Sequence, residues 1–185
     1  MRTVSLQRAL DALHTGGVVA YPTEAVWGLG CDPFDPLAVG KILQLKQRPV
    51  DKGLIVVAGT IDQIAALVEP LSAQQKQLLQ DTWPGPVTWL LPDPDQCFPA
   101  WIRGNFSSVA VRVSAHPLVR KLCVAYGGPL VSTSANPSTL PPAKSKLRVQ
   151  RWFGRNIDCI LPGRLGTSSK PSTIRDIQSG AILRG

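Results

Sequence analysis

Four polar stretches of this 185-residue chain hold the side chains that could do chemistry: Tyr21–Gly30 (YPTEAVWGLG), Lys46–Lys52 (KQRPVDK), Ser107–Arg112 (SSVAVR) and Ser132–Asn136 (STSAN). Lys46, Arg48 and Lys52 space three cations along the length of a triphosphate. The serines and threonines offer hydroxyls that can hydrogen-bond phosphate or ribose. Taken singly, each stretch reads equally well as an ordinary turn or a solvated basic loop. Taken together, they are compatible with a phosphate-binding cleft.

Arg112 is the sharpest single residue. It interrupts the apolar run Val109-Ala110-Val111-Arg112-Val113, on the strand face opposite Val111. An arginine among apolar neighbours needs either an anionic partner or open solvent. Ser108 and Ala110 share its face, so a half-exposed sheet is the competing expectation.

Several chemistries are excluded by what is missing. The sequence has no G-x-x-x-x-G-K-[ST] loop, no G-x-G-x-x-G after a strand, no G-x-S-x-G elbow and no H-E-x-x-H. Only His14 and His116 are present, one near a helix end and one before Pro117, and both read as structural. A histidine-based hydrolase is hard to build from that inventory. Cys31, Cys97, Cys123 and Cys159 lie far apart with no C-x-x-C pair, which argues for free, mostly buried thiols in a reducing compartment.

These residues need a scaffold, and the composition provides for one. Hydrophobic content of 44% with 17% charge fits a globular core, and a chain this long buries roughly 70% of its unfolded surface. The longest apolar runs, such as Leu54–Ala58, are far short of the ~20 residues of a membrane helix, and the N-terminus lacks a signal-peptide core. The expected location is the cytoplasm, with no membrane partner. Net charge is +8, of which residues 144–185 carry +7, with nine Lys and Arg against Asp158 and Asp176. Such an excess attracts polyanions, either a phosphorylated small molecule or nucleic acid, unless it is merely a solvated face.

Periodicity then places the elements. Leu6, Ala9, Leu10 and Leu13 predict an opening helix, and Val18–Tyr21 a strand, followed by a loop over Thr23–Pro33. Asp35-Pro36 predicts the start of a helix through Leu45. Strands are expected at 54–58, 87–91, 108–113, 130–133, 157–161, 173–177 and 181–183. Further helices are expected from Thr60 through Leu67, at 73–79, at 116–126 and, as a basic amphipathic segment, at 144–153. Asp93–Asn105 reads as irregular. The interleaving gives an α/β class built on a twisted open mixed sheet flanked by helices, with residues 1–185 as one domain.

The order and spacing of YPTEAVWGLG, LKQRPVDKGL, WPGPVT, VAVRV and STSAN resemble the YrdC/TsaC family of threonylcarbamoyl-AMP synthases, from about residue 5 to the C-terminus. PSTIRD at 171–176 and the closing Leu183-Arg184-Gly185 belong to the same resemblance, which is to the short, single-domain form. It implies a YrdC-like fold with a basic concave cleft. It also implies an enzyme, a nucleotidyltransferase joining L-threonine, bicarbonate and ATP into L-threonylcarbamoyl-adenylate, with release of pyrophosphate. No covalent nucleophile is needed for that reaction, so positioning and charge neutralisation carry it.

By similarity, Lys46, Arg48 and Lys52 form the catalytic basic motif. Thr23, Arg112, Ser132 and Ser172 hold threonine, with Arg112 clamping its carboxylate. Arg48, Lys52, Ser108, Ser134, Asn136 and Arg184 contact ATP, and Mg²⁺ arrives on the triphosphate with no dedicated protein metal site. Implied partners are the small-molecule substrates, a tRNA-modifying threonylcarbamoyltransferase complex, and tRNA or double-stranded RNA. The competing reading is a double-stranded RNA or tRNA-binding module without synthase activity. Many relatives have Thr where Ala25 stands, Asn-Pro where Lys52-Gly53 stand, and His near Val57, so the threonine contacts here differ in detail.

Overall fold

The computed structural model describes residues 3–168 and 172–184. Lys170, Pro171 and Gly185, part of the segments quoted above, lie outside the described residues.

The chain opens with α1 (Thr3–His14), whose Leu6, Ala9, Leu10 and Leu13 are all buried, as their helical spacing predicts. β1 (Val19–Pro22) and β2 (Trp27–Gly30) follow as an antiparallel hairpin, both wholly buried. β2 corrects the expected loop over 23–33. Two glycines in four residues read as a breaker, yet here Gly30 is required by close packing. A Cβ on Gly30 would lie 2.5 Å from the Val131 carbonyl oxygen and 2.7 Å from the Tyr21 hydroxyl.

α2 (Pro36–Lys46) starts as expected, with the Asp35 carboxylate accepting from Leu37 N–H at 2.9 Å and Ala38 N–H at 3.1 Å. It stops at Gln47, which takes left-handed backbone (φ 49°) and turns the chain out of the helix. A short 3-10 turn (Val50–Lys52) leads into β3 (Ile55–Ala58). Residues 61–68 are a 3-10 turn (Ile61–Ile64) running into α3 (Ala65–Val68), and Thr60 makes no side-chain cap bond. The single helix expected from Thr60 is thus split in two. α4 (Ala73–Thr82) opens on a reciprocal Ser72/Gln75 capping box.

The remainder runs β4 (Val87–Pro92), a single turn α5 (Ala100–Arg103) inside the segment expected to be irregular, β5 (Ser108–Val113) and α6 (Pro117–Tyr126). It continues through β6 (Leu130–Val131), β7 (Thr133–Ser134), α7 (Lys146–Phe153), β8 (Cys159–Ile160), β9 (Thr173–Asp176) and β10 (Ile182–Arg184).

Among the described residues the strands form two mixed sheets rather than one. Their orders are β7-β2-β1-β8 and β10-β9-β4-β5-β3-β6. The expected strand at 130–133 changes sheets at Ser132: Leu130 and Val131 pair with β3, whereas Thr133 and Ser134 pair with β2. One apolar cluster around Trp89, Val111, Leu29 and Ile42 fills the space between the sheets and α2. A second, around Tyr21, Val57, Leu118 and Leu122, sits where α1 and α6 cover the opposite side. Burying these side chains at about 25 cal/mol per Å² of apolar area is what holds two sheets against each other. The sheet-to-sheet crossover at Ser132 leaves an opening between them.

Candidate functional site

That opening is a cavity of about 480 Å³, within the range of small-molecule sites. Its walls come from the β1–β2 turn, the end of α2, β5, the crossover at Ser132 and the chain termini of β9 and β10. Thr23, Lys46, Arg48, Lys52, Arg112, Ser132, Ser134, Asn136, Ser172 and Arg184 all line it. Ser108 does not. It stands at the far end of β5 from Arg112, four residues or about 13 Å along the strand. The nucleotide role implied for Ser108 therefore gets no help from the geometry.

The motifs expected to face a nucleotide are tied to one another. Lys46, the last residue of α2, is 5% exposed. Its ammonium donates to the carbonyl oxygens of Ser134 and Asn136 (2.5 and 2.9 Å) and, at 3.3 Å, to Asn136 Oδ1. Ser134 Oγ donates to Asn136 Oδ1 at 2.6 Å, and Asn136 Nδ2 donates to the carbonyls of Pro137 and Leu140. The Ser138 hydroxyl donates back to the Lys46 carbonyl. So the STSAN turn is a rigid loop pinned to the helix end, and Lys46 is the pin. Burial pulls its ammonium down to about 8, with Arg48 adding to the effect.

Arg48 follows the left-handed turn at Gln47 and folds back on the next loop, donating to the Gly53 carbonyl from Nε at 3.2 Å and Nη2 at 2.9 Å. Gly53 itself sits at φ 60°, where a Cβ would be 2.8 Å from the Arg103 carbonyl oxygen. Burial lowers the pKa of Arg48 below its usual value without threatening its charge. Across the cavity, Arg184 donates to the Ser172 carbonyl at 3.1 Å and to its hydroxyl at 3.4 Å, and Thr88 donates to Ser172 Oγ at 2.9 Å. Burial first, and then the nearby Arg112 and Arg48, push Arg184 in the same direction as Arg48. These three guanidiniums share one space.

Arg112 is 8% exposed, which resolves its two readings in favour of an anionic partner. The partner is Glu24, whose Oε2 lies 3.2 Å from Arg112 Nη1. Glu24 Oε1 accepts from Ser114 Oγ at 2.6 Å and from the Ala115 N–H at 3.2 Å. Burial would push this carboxyl up, but Arg112 and the Ser114 hydroxyl outweigh it and hold it below the usual range. Glu24 was in plain view beside Thr23, yet no local pattern assigns a role to a glutamate in a turn. Its partner is 88 residues away.

Thr23 forms the turn itself: its N–H and Oγ1 both donate to the Val26 carbonyl, at 3.0 and 2.7 Å. Its hydroxyl proton is thereby used, and its lone pairs remain to accept. Below it, burial pushes the fully enclosed Tyr21 hydroxyl well up, while Ser132 opposes the shift. Ala25 lines the cavity, but Val57 is fully enclosed in the second apolar cluster and does not. Of the departures, Ala25 and Lys52 therefore touch the site and Val57 does not.

Both histidines are held by structural contacts. The His14 ring lies 5.0 Å from that of Tyr126, and His116 Nε2 is 3.0 Å from the Arg164 carbonyl oxygen. Cys31, Cys97, Cys123 and Cys159 are all free, two buried and two half-buried. The basic tail is dispersed: Arg184 joins the cavity, Arg175 lies 4.9 Å above the Trp89 ring and Arg148 5.5 Å above that of Trp152. No helix among the described residues is long and apolar enough to cross a membrane.

Two mixed sheets sharing one polar cavity, with a buried arginine on one wall and a lysine-pinned loop on the other, define a mixed α/β domain built around a candidate small-molecule site. Residues 11–185 match the Sua5/YciO/YrdC family model, described as "Telomere recombination", and the chain belongs to that family. It is 54% identical over 179 residues to the threonylcarbamoyl-AMP synthase of Hahella chejuensis, covering 97% of each chain. It is 54% identical over 182 residues to that of Marinobacter nauticus, covering 98% of this chain and 95% of the relative. Among solved structures, P. abyssi Sua5 complexed with L-threonine superposes with a TM-score of 0.89 at 33% identity. That match covers 97% of this chain and 53% of Sua5, so the chain spans about half of that longer protein. E. coli YciO shares the fold, with a TM-score of 0.83 at 22% identity.

Proposed function

We propose that the chain is a threonylcarbamoyl-AMP synthase, which joins L-threonine, bicarbonate and ATP into L-threonylcarbamoyl-adenylate and releases pyrophosphate. The carrying observation is that one cavity gathers the buried Arg112 and Thr23, the Lys46-pinned STSAN loop with Arg48 and Lys52, and Arg184 held on Ser172. Near-full-length relatives bearing that name support the reading, as does the threonine complex of Sua5.

The chemistry asks little covalent work of the protein. Threonine's amine takes up bicarbonate with loss of water to give a carbamate. A carbamate oxygen then attacks the α-phosphorus, and the P–O bond to pyrophosphate breaks. Arg112 would hold the amino-acid carboxylate, and Thr23, Ser132 and Ser172 would hydrogen-bond the same substrate. Arg48, Lys52 and Arg184 would neutralise the charge that builds on the phosphates. Lys46 would act mainly by fixing Ser134 and Asn136 against the nucleotide. Mg²⁺ would come as part of the triphosphate substrate. The one carboxylate among the described lining residues, Glu24, is committed to Arg112 and Ser114.

In this reading residues 1–185 act as one unit in the cytoplasm, where free thiols persist, and a tRNA-modifying threonylcarbamoyltransferase complex consumes the product. The test is the mass of the product after incubation with ATP, threonine, bicarbonate and Mg²⁺. Pyrophosphate release that is indifferent to threonine or bicarbonate would overturn it.

A further inference from the structure

Arg112 already carries a carboxylate of its own chain, and the way it does so is unusual. Glu24 is 8% exposed and cannot follow a moving partner, because Ser114 Oγ and the Ala115 N–H fix its Oε1 at 2.6 and 3.2 Å. Ser114 is itself held in place: its Oγ accepts the His116 N–H at 3.1 Å. The other oxygen, Oε2, faces Arg112 Nη1 at 3.2 Å but makes no hydrogen bond, and Arg112 Nε is likewise buried without a partner among the described residues. The pair is therefore a single-point charge contact and not a two-pronged fork. Glu24 balances and orients the guanidinium while leaving its two-pronged bonding capacity unspent.

We infer that Glu24 is a positioning residue: it holds Arg112 in the pose that receives the amino acid's α-carboxylate, and thereby sets threonine affinity. The inference rests on the proposed synthase reading, in which Arg112 binds that carboxylate. A guanidinium this deeply enclosed needs a counter-charge when no amino acid is bound. A carboxylate free to fork onto it would compete with the substrate. Anchoring Oε1 on the end of β5 provides the charge and prevents the fork. Replacing Glu24 by glutamine must keep its carbonyl on Ser114 and Ala115, both donors, so its amide group faces Nη1 and pushes Arg112 away.

The experiment is steady-state kinetics of the full chain with Glu24→Gln, reading threonine KM, ATP KM and kcat separately. Threonine KM should rise about ten-fold, the scale of one charge-assisted hydrogen bond, with ATP KM within about two-fold. In an Arg112→Gln background the same change should add less than about two-fold, because Glu24 then has nothing to position. A merely structural role would raise both KM values and persist in that background. An unchanged or lowered threonine KM would overturn the inference, the latter by making Glu24 a competitor of the substrate. Should Glu24→Gln not fold, Ser114→Ala keeps the charge and removes the hydroxyl anchor, together with the acceptor of the His116 N–H. It should raise threonine KM about three-fold and leave ATP KM alone, and no rise would overturn the inference equally. A wild-type chain without threonine-dependent turnover overturns the synthase reading and this one with it. A normal wild type with an indifferent Glu24→Gln overturns this one alone.

Discussion

Arg112→Ala should damage the protein in two separable ways, and their pH dependence distinguishes them. Removing the guanidinium strands Glu24 as a buried, uncompensated carboxylate, because Ser114 and Ala115 satisfy only Oε1. Breaking such a pair costs about 3–5 kcal/mol. For a chain of this size that corresponds to a fall in Tm of roughly 6–20 °C. In the wild type the folded-state pKa of Glu24 lies below its unfolded value. The pair's stabilisation is therefore present above the unfolded pKa and lost as pH falls through the folded one. In Arg112→Ala the largest lowering influence is gone, and burial, the largest influence of all, is opposed only by the Ser114 and backbone N–H bonds and by His116, so the folded pKa should rise above the unfolded one. The folded variant then gains a proton on acidification and recovers stability. Urea unfolding of both proteins at pH 7 and pH 5 measures this, and the gap between them should shrink at the lower pH. A gap of equal size at both values would refute the electrostatic account and leave only lost packing. At pH 7, threonine KM should also rise about 10- to 100-fold, from loss of charge-assisted hydrogen bonds worth about 1.5–3 kcal/mol.

Bound triphosphate should draw a proton onto Lys46, since its ammonium is held down to about 8 by burial and an anion favours the charged form. ATP affinity should therefore fall as pH rises through about 8, and calorimetry in buffers of different ionisation enthalpy should register proton uptake at that pH. Lys46→Met should flatten this profile, raise ATP KM and leave threonine KM nearly unchanged, because the loop it pins carries Ser134 and Asn136. Gly30→Ala should cost about 1–3 kcal/mol in denaturant unfolding, since its Cβ would sit 2.5 Å from the Val131 carbonyl oxygen. Ser108→Ala should leave ATP KM within about two-fold, as a serine outside the cavity must; a ten-fold rise would restore the nucleotide contact its motif suggests.

The sequence by itself determined the local elements and most of the chemical inventory. Asp35-Pro36 starts α2 because a short acceptor and a preset φ satisfy the first helical turn, and neither needs help from elsewhere in the chain. Lys46, Arg48, Lys52, Arg112, Ser132 and Asn136 were readable because motif order is a property of the chain, and all of them line one cavity. What sequence could not decide depended on non-local neighbours. β2 read as a loop because the need for Gly30 comes from Tyr21 and Val131, not from its own propensity. The run at 130–134 read as one strand because nothing local marks Ser132 as the point where pairing passes from β3 to β2. Glu24 was silent for the same reason, as its meaning is set by Arg112 and Ser114, which the fold brings to it from the other sheet. Tertiary structure also took apart the charged tail, sending Arg184 to the cavity and Arg175 onto Trp89. Net charge adds along a chain, whereas electrostatic work depends on which partner each charge meets in three dimensions.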